Sequence, residues 1–204
     1  MFEQFQLQQK FYLYTKKENA LERKNHRSVS ILSSSSKVLE KLLEMQLADG
    51  FLPKIYNDCL SAFRAGFSCQ HVLIHLCDTW RDALENGLLS GVLLLDLSKA
   101  FDCLPHSLIT AKLHAYGMMT PSINLLTDYL LNRRQRVKIL DATSSWKSIL
   151  KGVPQGSILG PAIFNIFMND VFCAVQDGAL FNYADDNTIL VKAKTKEGLA
   201  NKIV

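Results

Sequence analysis

Cysteine pairing is the first thing missing. The chain of 204 residues carries five cysteines, Cys59, Cys69, Cys77, Cys103 and Cys173, an odd number without a CxxC pair. That pattern does not suit a disulfide framework and points to a reducing, intracellular setting, nucleus or cytoplasm, rather than secretion. Long apolar runs are missing as well. The longest, Leu88 to Leu97, is interrupted by Ser90 and falls well short of the roughly 20 residues a bilayer-spanning helix needs. The N-terminal stretch MFEQFQLQQKFYLY has no unbroken apolar segment of the secretory kind, so neither export nor membrane insertion is expected. Internal repeats and long linkers are absent too.

What is there describes a globular protein. A composition 48% hydrophobic and 21% charged excludes wholesale disorder, and the length suits one sizeable domain, or one domain with a lobe inserted in it. The net charge of +4 is modest, but it is concentrated. Between Arg133 and Lys151 stand six Lys or Arg against the single acid Asp141, a local excess of +5. Clustering of this kind favours a polyanionic partner.

Along the chain, residues 1–30 are mixed and basic. The serine run Ser33–Ser36 offers an N-cap to a helix that Asp49-Gly50 stops. Its expected buried face is Val38, Leu39, Leu42 and Leu43, with Lys37, Glu40, Lys41 and Glu44 on the other. A second amphipathic helix is expected from about Cys69 to Glu85, burying Val72, Leu76, Trp80, Ala83 and Leu84. Gly91–Asp96 reads as a short strand buried on both faces and ending in a carboxylate. Helices follow over about Ser107–Tyr116 and, opened by Thr120-Pro121, to about Leu131. The alternation from Arg134 to Ile139 reads as one arm of a hairpin, turning at Asp141–Ser144, whose partner contains Trp146 and Ile149. Gly160-Pro161 opens an apolar helix that should be buried. Leu180–Ala184 and Thr188–Lys192 read as strands joined by a turn at Asp185-Asp186-Asn187. This alternation indicates an α/β (α+β) core.

The chemistry lies in the carboxylates. An Asp at the end of an apolar strand is costly to bury and calls for a reason. Asp96 is one; Asp185 and Asp186 are a pair. If their strands are neighbours, the three converge at one sheet edge, where hard divalent cations would balance their repulsion. Taken alone, the same residues are also ordinary turn and capping chemistry. Cys69, His71, His75 and Cys77 crowd one helix, but a single helix cannot present four convergent zinc ligands, so packing is expected of them.

Three long segments carry a resemblance. Leu95-Asp96-Leu97-Ser98-Lys99-Ala100-Phe101-Asp102, Gly152-Val153-Pro154-Gln155-Gly156-Ser157-Ile158-Leu159-Gly160-Pro161 and Tyr183-Ala184-Asp185-Asp186 resemble, in order and spacing, motifs A, B and C of reverse transcriptases. The wording around them is most similar to non-LTR retrotransposons of the jockey-like kind. Upstream, Asn25–Leu32 and Ser61–Phe67 resemble the two finger motifs that precede motif A, so the similarity runs from about residue 14 to residue 204.

The resemblance implies a right-hand polymerase of palm and fingers, with an antiparallel palm sheet packed on helices and the thumb absent. Residues 1–86 and 115–150 would be fingers; 87–114 and 151–204 would be palm. It implies an RNA-directed DNA polymerase that adds deoxynucleoside triphosphates to a DNA primer on an RNA template, using two Mg²⁺ ions or Mn²⁺ in their place. Asp96 and Asp185 would be the principal metal ligands, Asp186 would complete the triad, and the Leu97 carbonyl would add a backbone ligand. Phe101 matches the bulky residue that excludes a ribose 2′-hydroxyl, with core packing as its plain alternative. Gln155 and Gly156 match the loop against the incoming nucleotide, Tyr183 a residue near the primer end, and Arg27 and Lys17 triphosphate-side cations. Arg134, Arg136 and Lys138 would meet template phosphates.

Some features depart from the family. Ser28 stands where Pro is usual, His26 where an aromatic is usual and Ala65 where a basic residue is common. The chain also stops eighteen residues after Asp186, before the family's later palm motifs, and is expected to be a truncated piece with an exposed sheet edge that self-associates. An inactive remnant that binds nucleic acid is therefore the alternative reading. A nucleotide cyclase, which shares paired carboxylates on a hairpin, is disfavoured by the Gly152–Pro161 loop.

Overall fold

A computed structural model describes residues 8–15, 26–131, 133–139 and 141–203, with the backbone alone for 8–15, 26–28 and 139. The elements in chain order are β1 (Gln8–Thr15), β2 (His26–Ile31), α1 (Ser34–Gly50), α2 (Leu52–Ile55), α3 (Cys69–Glu85), β3 (Leu89–Asp96), α4 (His106–Ala115), α5 (Thr120–Leu130), β4 (Arg134–Ile139), β5 (Ala142–Thr143), β6 (Lys147–Ser148), α6 (Gly160–Met168), β7 (Gly178–Tyr183), β8 (Asp186–Ala193) and α7 (Lys196–Ile203). This is a mixed α/β protein, and it divides into two units: Met1–Lys54 with Lys99–Phe167, and Ile55–Ser98 with Met168–Val204.

In the first unit a sheet runs β2-β1-β4-β5, with β6 also paired to β4. β1 is antiparallel to β2 and parallel to β4. Helices α4 and α5 pack on each other, burying Ile109, Leu113, Ile123, Leu126 and Leu130. The serine run caps α1 as expected: Ser33 accepts from the Ser36 N–H at 3.2 Å. The buried face of α1 is only partly the expected one, which it shares at Leu43. Val38 is 62% and Leu42 54% exposed, while Ser36, Glu40, Leu43 and Leu47 are buried. The reason is polar. The Glu40 carboxyl accepts from the Tyr129 hydroxyl at 2.9 Å and from the Ile158 N–H at 2.7 Å, so the helix turns its acid inward. Helix α6 is buried over most of its surface because nearly every residue in it is apolar.

In the second unit a three-stranded antiparallel sheet runs β3-β8-β7. Helix α3 packs on β3 and β7, and α7 on β3 and β8. Gly91 makes room for α7, since a β-carbon there would lie 3.0 Å from Ile203 and 3.4 Å from Leu199. The expected double-sided burial of β3 is corrected: the strand is an edge of this sheet, and Leu94 is 78% exposed. Apolar character alone cannot distinguish an edge strand from a central one, because pairing partners are set far away in sequence. The expected stripe of α3 is corrected in the same way, with Trp80 and Leu84 exposed and only Ala83 fully buried. Asp185-Asp186-Asn187 is not the turn either; β8 begins at Asp186, and Ala184 and Asp185 make the connection.

Candidate active site

The carboxylates gather at one end of the second unit's sheet. β3 ends on Asp96 and β8 begins on Asp186, and the two are register partners. Directly paired residues have Cα atoms about 5 Å apart, so these acids are neighbours by backbone construction. Tyr183, the last residue of β7, is the partner of Asp186 on its other side. Asp185 is half-buried in the turn, while Asp96 and Asp186 are exposed. Leu97 follows β3 directly and is also exposed. Alternation along a strand would send adjacent side chains to opposite faces; the turn position of Asp185 frees it from that rule.

Two residues that sequence reasoning missed lie beneath this turn. Asn182 and Asn187 are buried register partners across β7 and β8. Asn182 Nδ2 donates to the Ala184 carbonyl at 2.8 Å and to Asn187 Oδ1 at 2.9 Å. Asn187 Nδ2 donates to the Asp185 carbonyl at 3.1 Å. The only signal available beforehand was an amide among apolar strand residues.

The motif B loop belongs to the first unit and is held by backbone contacts. The Ser30 N–H donates to the Gln155 carbonyl at 2.9 Å, the Val153 N–H to the Phe101 carbonyl at 2.8 Å, and the Gly152 N–H to the Leu104 carbonyl at 2.7 Å. Gly152 has φ +84, and a β-carbon there would fall 2.6 Å from the Asp102 carbonyl oxygen; only glycine fits so close a backbone approach. Ser157 Oγ accepts from the Gly160 N–H at 3.0 Å, closing the loop onto α6. Gln155 is half-buried and Gly156 exposed. The Phe101 ring stacks on Phe164 with centroids 4.4 Å apart and planes 14° from parallel, so packing is one of its roles. The structure thus brings Phe101 together with the loop that carries Gln155.

Electrostatics in this unit are set by burial. Burial raises the Asp102 carboxyl above its ordinary value of 3.8, against the pull of Lys99. Burial also drives the Tyr129 hydroxyl far above its ordinary value, opposed by Arg133 and reinforced by Glu40, which keeps it a donor to Glu40. Tyr129 lies under the Arg133 guanidinium at 4.6 Å.

Of the remaining candidates, Lys17 lies outside the described residues, and for Arg27 only the backbone, in β2, is described. Arg134 is exposed at the start of β4, Arg136 is half-buried over the Trp146 ring at 4.6 Å, and Lys138 is half-buried. The five cysteines are free and exposed. Among the described residues no three His, Cys, Asp or Glu side chains are gathered closely enough to hold a metal ion, which applies to the α3 Cys/His cluster and to the aspartates as they stand. The donor set at the sheet end nevertheless fits hard divalent cations, being all carboxylate oxygen on paired or adjoining backbone positions. No described helix is long and apolar enough to cross a membrane.

Comparison with known proteins places these features. The family model described as "Reverse transcriptase (RNA-dependent DNA polymerase)" matches residues 15–204, and the chain belongs to that family. Its relatives include the RNA-directed DNA polymerase from the mobile element jockey of Drosophila melanogaster, 30% identical over 183 residues, covering 84% of this chain and 19% of that protein. The probable RNA-directed DNA polymerase from transposon BS of the same species is 29% identical over 174 residues, covering 81% and 19%. The chain therefore spans about a fifth of the length of these relatives, and its likeness is to the non-LTR, jockey-like group. Among solved structures, telomerase from Candida tropicalis in complex with the TWJ fragment of telomeric RNA shares the fold with TM-score 0.64 at 11% identity, over 97% of this chain and 38% of that one.

Proposed function

We propose that the chain is the palm-and-fingers core of an RNA-directed DNA polymerase, adding deoxynucleotides to a DNA primer on an RNA template inside the cell. The observation that carries this reading is the pairing of Asp96 with Asp186, with Asp185 in the adjoining turn. On this reading residues 87–114 and 151–204 serve as palm, and 1–86 and 115–150 as fingers.

Asp96, Asp185 and Asp186, with the Leu97 carbonyl, would hold two Mg²⁺ or Mn²⁺ ions. Such ions, when bound, supply charge stabilisation for the attacking and leaving oxygens of phosphoryl transfer. The chain's own residues supply position. The Gln155-Gly156 loop, fixed by Ser30 and Glu40 through backbone donors, offers a rigid wall for the nucleotide. Phe101, held by its stack on Phe164 and by the Val153 contact, acts as the bulk that excludes a 2′-hydroxyl. Tyr183 lies beside the primer end, and Arg27 and Lys17 neutralise the triphosphate. Arg134, Arg136 and Lys138 bind template phosphates, a contact weakened by salt. The basic character of β4 also supports a second reading, binding of nucleic acid without turnover.

The reading is tested by offering the chain deoxy- and ribonucleotides on a primed RNA template, beside Phe101→Ala. Wild-type incorporation of deoxynucleotides alone, with ribonucleotides admitted by the variant, supports it. A wild-type chain that incorporates neither while binding the template supports the second reading.

A further inference from the structure

The turn between β7 and β8 is held by two side chains that the reaction as described does not use. Ala184 has φ +56, in the left-handed region that a residue with a β-carbon keeps only when its surroundings impose it. The imposing contacts are the amides of Asn182 and Asn187. Asn182 donates to the Ala184 carbonyl at 2.8 Å and to Asn187 Oδ1 at 2.9 Å, and Asn187 donates to the Asp185 carbonyl at 3.1 Å, so both turn carbonyls are held.

The plain alternative is a buried polar pair that satisfies itself. The geometry argues against it. An aliphatic cross-strand pair would fill the same place without the cost of burying amides. Here the amides point along the strands into the turn, and Asn182 Oδ1 is left without a hydrogen-bond partner among the described residues. A pair selected for its own satisfaction would not leave that acceptor bare. What the arrangement does achieve is to tie down the two peptide groups that flank the Asp185 side chain.

We propose that Asn182 and Asn187 are positioning residues that clamp the Ala184–Asp185 turn and so fix the direction of the Asp185 carboxylate. The clamp stands on the hydrogen bonds alone; its consequence for metal binding rests on the polymerase reading. Residues that orient metal ligands from behind are typically worth about 10- to 100-fold in metal affinity.

The test uses the whole chain and two variants. Asn187→Asp keeps the oxygen that Asn182 donates to and removes only the donor to Asp185; Asn187→Val removes both and keeps strand shape. The Ala184 HN–Hα coupling is measured by NMR, Mn²⁺ affinity by titration followed by electron paramagnetic resonance, and the unfolding midpoint by denaturant. The clamp predicts that both variants stay folded, that the Ala184 coupling moves, and that Mn²⁺ binds about tenfold more weakly, even in Asn187→Asp, where added charge acts the other way. A lower unfolding midpoint with unchanged coupling and Mn²⁺ affinity would overturn the proposal and make the pair a packing feature. A shifted coupling in a chain whose wild type binds no Mn²⁺ would uphold the clamp and overturn the polymerase reading instead.

Discussion

Asp96 and Asp186 face each other directly across β3 and β8, two acids on register-paired residues at the mouth of the sheet. Like charges placed opposite each other on neighbouring strands oppose folding by a few tenths of a kcal/mol. In metal-free buffer Asp186→Asn should therefore melt slightly above wild type. Added Mg²⁺ should raise the wild-type melting temperature by binding the folded state and should do so less for the variant. Equal gains from Mg²⁺ in both proteins would contradict the assignment.

The buried Glu40 network makes a prediction about stability. Tyr129→Phe removes a donor to a buried carboxyl and should cost about 1.5–3 kcal/mol. Glu40→Ala removes the acceptor that both the Tyr129 hydroxyl and the Ile158 N–H donate to and should cost more, on the order of 3 kcal/mol or above. Denaturant unfolding of the two variants and their combination measures this. Because both act through one contact, the double variant should fall short of the sum; strict additivity would show that the contact is not shared.

Asp102 predicts a pH dependence. Burial raises its folded-state value above the ordinary 3.8, so the folded protein holds that proton more tightly than the unfolded chain. The associated stability is full below about pH 4 and is lost as pH rises through the folded-state value. Asp102→Asn cannot ionise and escapes the loss. Its melting temperature should exceed that of wild type at pH 7, and the gap should close towards pH 3.5. A gap that widens on acidification would mean the sign is wrong.

How much was legible beforehand follows from the range of each interaction. Strand β4 runs over the alternating residues from Arg134 to Ile139 because alternation is a local signal, and the Ser33 cap of α1 is equally local. The burial of Glu40 was not legible, since its partners lie 89 and 118 residues away and helical periodicity sorts residues by polarity alone. For the same reason Leu94, in an apolar run, was assigned to the interior although β3 lies at a sheet edge. Strands β1 and β2 were missed in a mixed, basic stretch without periodicity. Helix α7, also missed, is a short polar segment whose Leu199 and Ile203 lie against Gly91, far away in sequence. At the candidate site the acids were found through their motifs. Asn182 and Asn187 were not, because an amide in a strand reveals its purpose only once its donors can be traced into a turn.

The most direct test of the polymerase account is primer extension on poly(rA)–oligo(dT) with Mg²⁺, using wild type beside Asp185→Asn. Removing a group that stabilises developing charge at a reacting phosphoryl commonly costs on the order of a hundredfold or more in rate. The account predicts Mg²⁺-dependent incorporation of thymidylate by wild type and its loss to that extent or beyond in the variant. Folded wild-type protein that incorporates nothing, or a variant that extends the primer as fast as wild type, would contradict it.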